Sequence, residues 1–335
     1  MALRVAVVGM GGIGNLHARC YTNNPLSEVV AVCDIIKERA DKAAETYNCP
    51  AFYSVKELLK ADLGLDCVSM CTAGKENGGD HYTPTMELLS AGLPVLGEKP
   101  ISNELEKAKE MVALAKRKKL RYGINLNHRF TPAALRAKQW INEGRLGKLH
   151  IINMRMWINN PNETAPHFHA RALHPHSIDV MRYFCGDVKS VQAFFNHGET
   201  MDGKKRKCWS NLQCNMMFKN DIVGHLTGSY DAGGSFGLEE CDISGSKGRF
   251  VIEDACERLT FFSRADSQKE TYVNLGGMTG FADTFPSRIH RWLEQNAAGA
   301  DPKEIDGSAE EALKAQTIIE AAIKSWETHS VVDIA

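Results

Sequence analysis

At 335 residues, with 43% hydrophobic and 24% charged, the chain has the make-up of a globular protein rather than a disordered or fibrous one, and its length suggests roughly two domains. Lys+Arg 40 against Asp+Glu 41 leaves a formal charge of -1, with no basic domain that would mark a nucleic-acid partner. The apolar runs are too short for a membrane span, and the opening Met1-Ala2-Leu3-Arg4 has no basic stretch followed by a long apolar region, so no signal peptide is expected.

Taken in chain order, the first third alternates two periods. Strands are predicted at 4–9, 28–34, 65–72, 94–98 and 121–127, and helices at 12–23, 36–47, 55–60, 83–91 and 104–119. Strands alternating with helices build a parallel sheet with crossover helices. Gly92 and Pro94 end one helix and open the next strand. Near residues 125 to 130 the pattern changes, dividing the chain into domains 1–126 and 127–335. A helix at 132–142 and a strand at 148–158 lead to a loop rich in Pro, Asn and His, then a helix at 175–185. At least five strands follow, at 188–196, 209–219, 222–230, 238–244 and 249–253, joined by short turns that favour a mostly antiparallel sheet. Helices at 284–297 and 308–329 close the chain, the second opened by a Ser308/Glu311 capping box. The 10 cysteines form no C-x-x-C pair, and several lie in strand-like runs, which reads as reduced thiols in a cytoplasmic protein. The basic runs 116–119 and 204–207 read as solvated surface.

Three places carry chemistry. Gly9-Met10-Gly11-Gly12-Ile13-Gly14 matches G-x-G-x-x-G between the first strand and first helix, a turn that brings backbone and a helix N-terminus up to a pyrophosphate. Asp34 lies 20 residues after Gly14, where a carboxylate can accept from both ribose hydroxyls. That carboxylate repels a 2′-phosphate, so NAD is the expected cofactor; Arg39, one turn further on, leaves NADP open. Glu98-Lys99-Pro100 ends the fifth strand at the sheet edge where open α/β sheets bind ligands, and Pro100 holds Lys99 extended.

On these residues the sequence resembles the Gfo/Idh/MocA family of nicotinamide-dependent sugar and polyol oxidoreductases, in particular its inositol dehydrogenase-like members. The match runs through Gly9–Gly14 with His17, Asp34, Cys71-Thr72-Ala73, the stretch 81–100, Asn127-His128-Arg129-Phe130 and His176-Ser177-Ile178-Asp179. The resemblance implies an α/β protein: an N-terminal Rossmann domain with a doubly wound parallel sheet, then a C-terminal α+β domain whose open, mostly antiparallel sheet carries the substrate pocket and often the subunit contact. It also implies that Lys99 hydrogen-bonds the reacting hydroxyl, that His176 takes the hydroxyl proton, and that Glu98, Thr72 and His81 help hold the cofactor, beside Cys71 and Ala73.

The third place is His167-Phe168-His169 with His174-Pro175-His176. Pro175 suits the first position of a helix, making His174 an extended, cap-like residue and placing His176 in the first turn. Asp179, three residues on, shares its face and could orient the ring. Family dehydrogenases usually carry Asp four residues before this His, where this chain has Ala172, and Gly where it has His174. A metal site from the four histidines is disfavoured, because Pro175 limits convergence and no H-E-x-x-H spacing occurs; no metal is expected. Arg129, Asn159, His174 and Asp179 are the candidate substrate contacts. The resulting expectation is an NAD-dependent dehydrogenase acting on a secondary hydroxyl of a sugar, cyclitol or sugar acid, self-associating as a homodimer or homotetramer through its C-terminal sheet. A redox-neutral sugar lyase or glycosidase using NAD transiently, and a silent NAD-binding sensor, are the alternatives.

Overall fold

Strand β1 (Leu3–Val8) buries Val5 to Val8 on both faces, as the middle of a parallel sheet requires. In this computed structural model, which describes residues 2–74, 79–160, 164–232, 239–254 and 256–334, β1 is followed by α1 (Gly12–Thr22), β2 (Ser27–Cys33), α2 (Lys37–Tyr47), β3 (Ala51–Phe52) and α3 (Val55–Lys60). Then come β4 (Cys67–Met70), α4 (Tyr82–Ser90), β5 (Val95–Gly97), α5 (Leu105–Lys118) and β6 (Tyr122–Ile124). The six strands pair in parallel in the order β3-β2-β1-β4-β5-β6, the doubly wound order in which ligands sit beyond the strands' carboxyl ends. Two-residue β3 is an addition to the five predicted strands, too short to show a periodicity of its own.

The remainder comprises α6 (Pro132–Asn142), β7 (Leu149–Trp157), α7 (Phe168–Cys185), β8 (Val188–Asn196), β9 (Asn211–Phe218), β10 (Val223–Ser229), β11 (Glu239–Gly245) and β12 (Gly248–Glu253). It continues through β13 (Arg258–Ser263), β14 (Lys269–Val273), α8 (Thr284–Ala297), α9 (Ala309–Thr328) and β15 (Val332–Asp333). Residue 238, predicted to open β11, lies outside the described residues. Nine strands form one sheet in the order β14-β13-β12-β11-β7-β10-β9-β8-β15, antiparallel except for the parallel pair β7 and β10. One face packs against α7, while the other leaves Ile151, Phe194, Met217 and Val223 exposed.

The chain divides into two compact units that are not a simple first part and remainder. The first holds residues 1–126 and 285–313, the second 127–284 and 314–335. Residues 285–313 join the first unit because Ile289, Trp292, Leu293 and Ile305 complete the apolar cluster around Val5, Val7, Val32 and Leu96. Arg288 fixes this return by donating to the carbonyls of Ile124 and Gly307. Ser308 Oγ accepts from Glu311 N at 3.3 Å, so the predicted cap of α9 is formed.

One helix corrects the sequence reading. Pro175 is inside α7, which starts seven residues earlier, at Phe168. An interior proline costs about 3 kcal/mol, but Leu173, Ile178, Val180, Met181 and Phe184 are all buried on this helix, and each such side chain contributes about 1.5–3 kcal/mol on burial. His174 is therefore helical, not an extended cap.

Candidate active site

In the first unit, β1 runs into α1 through a turn that only glycine fits at two points. Gly9 has φ +89°, and a Cβ there would lie 2.6 Å from Thr72 N; a Cβ on Gly14 would lie 1.7 Å from Gly9 O. Gly11 and Gly12 have no atom within 4 Å of where a Cβ would be, so their backbone faces open space. The N-terminus of α1 carries neither a side-chain cap nor an acidic residue in its first turn. Its amides and the positive end of the helix dipole are thus available to an anion. The turn borders a cleft of about 740 Å³, within the range of cofactor sites, whose walls include Asp34, Arg39, Thr72, His81, Glu98 and Lys99. Met10 is buried behind the turn and Ile13 is partly exposed.

Asp34 follows β2 and is held by two amides, Met10 N at 2.6 Å and Ile36 N at 2.8 Å, one to each oxygen. A carboxylate oxygen accepts more than one hydrogen bond, so both retain capacity for the hydroxyls of a ribose. Cys71, Thr72 and Ala73 continue from β4; Thr72 Oγ1 donates to Asp80 O at 2.8 Å. The His81 ring bridges two main-chain carbonyls, Nδ1 lying 2.7 Å from Pro100 O and Nε2 2.8 Å from Thr72 O. His81 thereby ties the turn after β4 to the Lys99–Pro100 segment, whose peptide bond is cis.

Glu98 follows β5 and is buried among donors: His17 Nε2 at 2.9 Å and Asn125 Nδ2 at 2.6 Å reach Oε1, and Lys99 N reaches Oε2 at 3.2 Å. On its other side, His17 Nδ1 meets Ser69 Oγ at 2.8 Å. Burial opposes charge on His17, but the Cys71 thiol and the Glu98 carboxylate more than offset it and raise the imidazole to about 10. Burial likewise opposes charge on Glu98, yet His17 holds its carboxyl below the usual range. Lys99 is half-buried; burial lowers its ammonium pKa against the opposing charge of Glu98. The supporting residues Ser69 and Asn125 escape sequence reading. The signal for His17 is its place with Gly14, Ala18 and Tyr21 on the buried stripe of α1, since a buried histidine needs a polar partner.

In the second unit, Arg129 lies in a short 3-10 turn, Asn127–Phe130, and grips both oxygens of Asp179 through Nε, at 2.6 Å, and a terminal nitrogen. Asp179 shares α7 with His176 as expected, and each of its oxygens accepts from Arg129. His176 stacks on His128, ring centroids 4.3 Å apart and planes 23° from parallel. His128 Nδ1 in turn is hydrogen-bonded to Glu239. Neither His128 nor Glu239 was predicted as a site residue, and their separation by 111 residues leaves no local signal. His174 points to the sheet: its Nδ1 lies 3.0 Å from Ser177 Oγ, its Nε2 3.1 Å from His169 Nε2, and a Cβ on Gly228 would fall 2.0 Å from its ring. Burial lowers His169 to about 3 and His174 well below the ordinary value. His167 instead stacks with Trp209. His169 and His174 thus meet each other while His167 and His176 stack on other rings, and among the described residues no three metal-ligating side chains are grouped. Asn159 is exposed just past the end of β7.

A glycine turn on an uncapped helix, a carboxylate after β2 and a cleft beyond the parallel strands define a dinucleotide-binding protein. Residues 3–126 match the model of an oxidoreductase family with an NAD-binding Rossmann fold, Gfo/Idh/MocA, and residues 134–251 match its C-terminal domain. The chain belongs to the Gfo/Idh/MocA family and is an NAD-binding oxidoreductase. It is 22% identical over 351 residues to an inositol 2-dehydrogenase of Rhizobium meliloti strain 1021, covering 100% of both. With a D-glucoside 3-dehydrogenase of Escherichia coli K12 it shares 29% over 154 residues, 46% of this chain and 43% of that one. A levoglucosan dehydrogenase structure with NADH has the same fold, with TM-score 0.89 at 20% identity and 100% of both chains covered. No helix of the described residues is long and apolar enough to cross a membrane.

Proposed function

We propose that the protein oxidises a secondary hydroxyl of a polyhydroxylated small molecule, a sugar, cyclitol or sugar acid, with NAD as oxidant. The observation that carries this reading is Lys99 in the wall of the cleft that also contains the glycine turn and Asp34. Inositol and glucoside dehydrogenases among the relatives support it.

Bound NAD supplies the acceptor for the hydride that leaves the carbinol carbon. The turn Gly9–Gly14, with Met10 and Ile13, holds the pyrophosphate, Asp34 the adenosine ribose, and Cys71 to Ala73 the far side of the cleft. Glu98 and His81 act as supports: Glu98, locked by His17 and Asn125, sets the direction of Lys99, and His81 fixes the segment after it. Lys99 donates to the reacting hydroxyl and stabilises negative charge growing on its oxygen as the C–H bond breaks. His176 takes the hydroxyl proton on an imidazole nitrogen, so the alcohol becomes a carbonyl and one proton passes to the protein. Arg129 with Asp179, and Asn159, contribute polar contacts for further hydroxyls. His174, packed on the sheet, serves the placement of α7. The exposed face bearing Ile151, Phe194, Met217 and Val223 is our candidate for self-association.

A redox-neutral reaction on the same cofactor is the second reading, favoured by Ala172 where the family dehydrogenases carry Asp. Absorbance at 340 nm with NAD or NADP and a panel of inositols, hexoses and sugar acids separates the readings. Substrate-dependent NADH is the expected result; product without NADH would replace the dehydrogenase reading with the redox-neutral one.

A further inference from the structure

A base that takes a hydroxyl proton becomes an imidazolium, and a nearby carboxylate favours that charged state. Four residues before His176 stands Ala172, which cannot provide one. A carboxylate from another element instead holds the ring on which His176 stacks. His128 stacks on His176 at 4.3 Å, and its Nδ1 is hydrogen-bonded to Glu239, the first residue of β11. The exposures of His128, His176 and Glu239 are 1%, 3% and 3%, so solvent screens this arrangement little. A carboxylate only accepts, so Glu239 holds His128 as the Nδ1–H tautomer and fixes its ring plane. Nε2 of His128 is buried and meets no hydrogen-bond partner among the described residues.

We propose that Glu239, acting through His128, is a positioning carboxylate for His176: it holds the His128 ring flat against the base, and its negative charge stabilises the imidazolium. The inference rests on the reading of His176 as the base. Other titratable groups on or against α7 are paired or neutral. Asp179 is bound by Arg129, Arg171 by Glu320 of α9, and Arg182 by Asp187. Lys138 of α6 donates to Tyr183 O. His169 and His174 are kept neutral by burial, and the buried thiols of Cys185, Cys241 and Cys256 are pushed up in pKa by burial. On β7 and β11, Arg155 and Glu240 pair with each other at positions opposite in register.

The test is the titration of His176 by NMR in histidine-labelled protein without substrate, its signal assigned by its loss in His176→Gln. Glu239→Gln removes the charge and keeps an acceptor for His128. The His176 pKa is expected to fall by about one unit, with kcat reduced more than KM is changed, and the acidic limb of kcat/KM moving to lower pH by the same amount. Glu239→Asp should restore most of the shift. A folded Glu239→Gln protein in which His176 titrates within about 0.2 units of the native value would overturn the proposal. Should that variant not fold, the native protein decides, since an Nε2–H tautomer at His128 contradicts the arrangement and Nδ1–H supports it. Failure of every polyol to yield NADH alongside an intact titration shift would remove the dehydrogenase reading and leave the electrostatic coupling standing.

Discussion

His17 in the first unit and His169 and His174 in the second are buried to the same degree, yet they carry opposite charge states. His17 lies beside Cys71 and 2.9 Å from the Glu98 carboxylate and is raised to about 10, whereas His169 and His174 face each other at 3.1 Å and are lowered by burial. Burial alone disfavours every charge, so the partner decides. Where the ring supports Glu98 and through it Lys99, Cys71 and that carboxylate keep it charged; where it only helps seat a helix on a sheet, a second imidazole leaves it neutral. The site-building histidine and the packing histidines are thus told apart by what they touch, not by how deeply they lie.

The largest effects are expected at the reacting groups. Lys99→Ala and His176→Ala are each expected to lower turnover about 10²–10⁴-fold while leaving NAD affinity nearly intact, measured by initial rates and calorimetric titration; comparable loss of NAD affinity would contradict their roles. Next in size is His17→Gln, which leaves a buried carboxylate without its cation. A loss of about 3 kcal/mol or more is expected in denaturant unfolding, and a loss below 1 kcal/mol would mean that Glu98 is not paired as described.

The pH dependence sharpens the same contrast. His17 has a folded pKa above its unfolded value near 6.5, so its contribution is complete below about pH 6.5 and is lost as pH rises towards about 10. His169 and His174 have folded pKa values below it, so the unfolded chain binds extra protons below about pH 6.5 and stability falls as pH drops towards about 3. The Tm should therefore decline on both sides of neutrality. His17→Gln should flatten only the alkaline side and His169→Leu only the acid side, and a change on the opposite limb would refute the assignment. The smallest effect expected is at the ribose. Asp34→Ser should shift preference from NAD towards NADP by about tenfold, since roughly 1.4 kcal/mol of carboxylate contact and repulsion is removed; kcat/KM with each cofactor measures it.

Much of the first unit is legible in the sequence because its signals are contiguous. The glycine turn, Asp34 and Glu98-Lys99 each follow a strand whose apolar run is continuous in the sequence. The second unit is legible in its elements and less so in its site. Helix α6 and strand β8 fall where their periodicity puts them, whereas β13, β14 and β15 extend the sheet beyond the six strands read. Helix α7 passes through Pro175 because apolar burial on its flanks outweighs a local rule. His128 and Glu239 are ordinary residues until the 3-10 turn and β11 are brought side by side.

By itself the sequence determined the cofactor class and the alternating α/β architecture of the first unit, because backbone sterics and side-chain periodicity act over neighbouring residues, while its resemblance to the family marked Lys99 and His176 as catalytic candidates. Only the tertiary structure decided that residues 285–313 return to the first unit, that His17 is charged and His174 neutral, that Asp179 pairs with Arg129, and that Glu239 stands behind His128. Those outcomes depend on which faces meet across tens to hundreds of residues. The charge state of a buried group is set by that encounter and not by its own position in the chain.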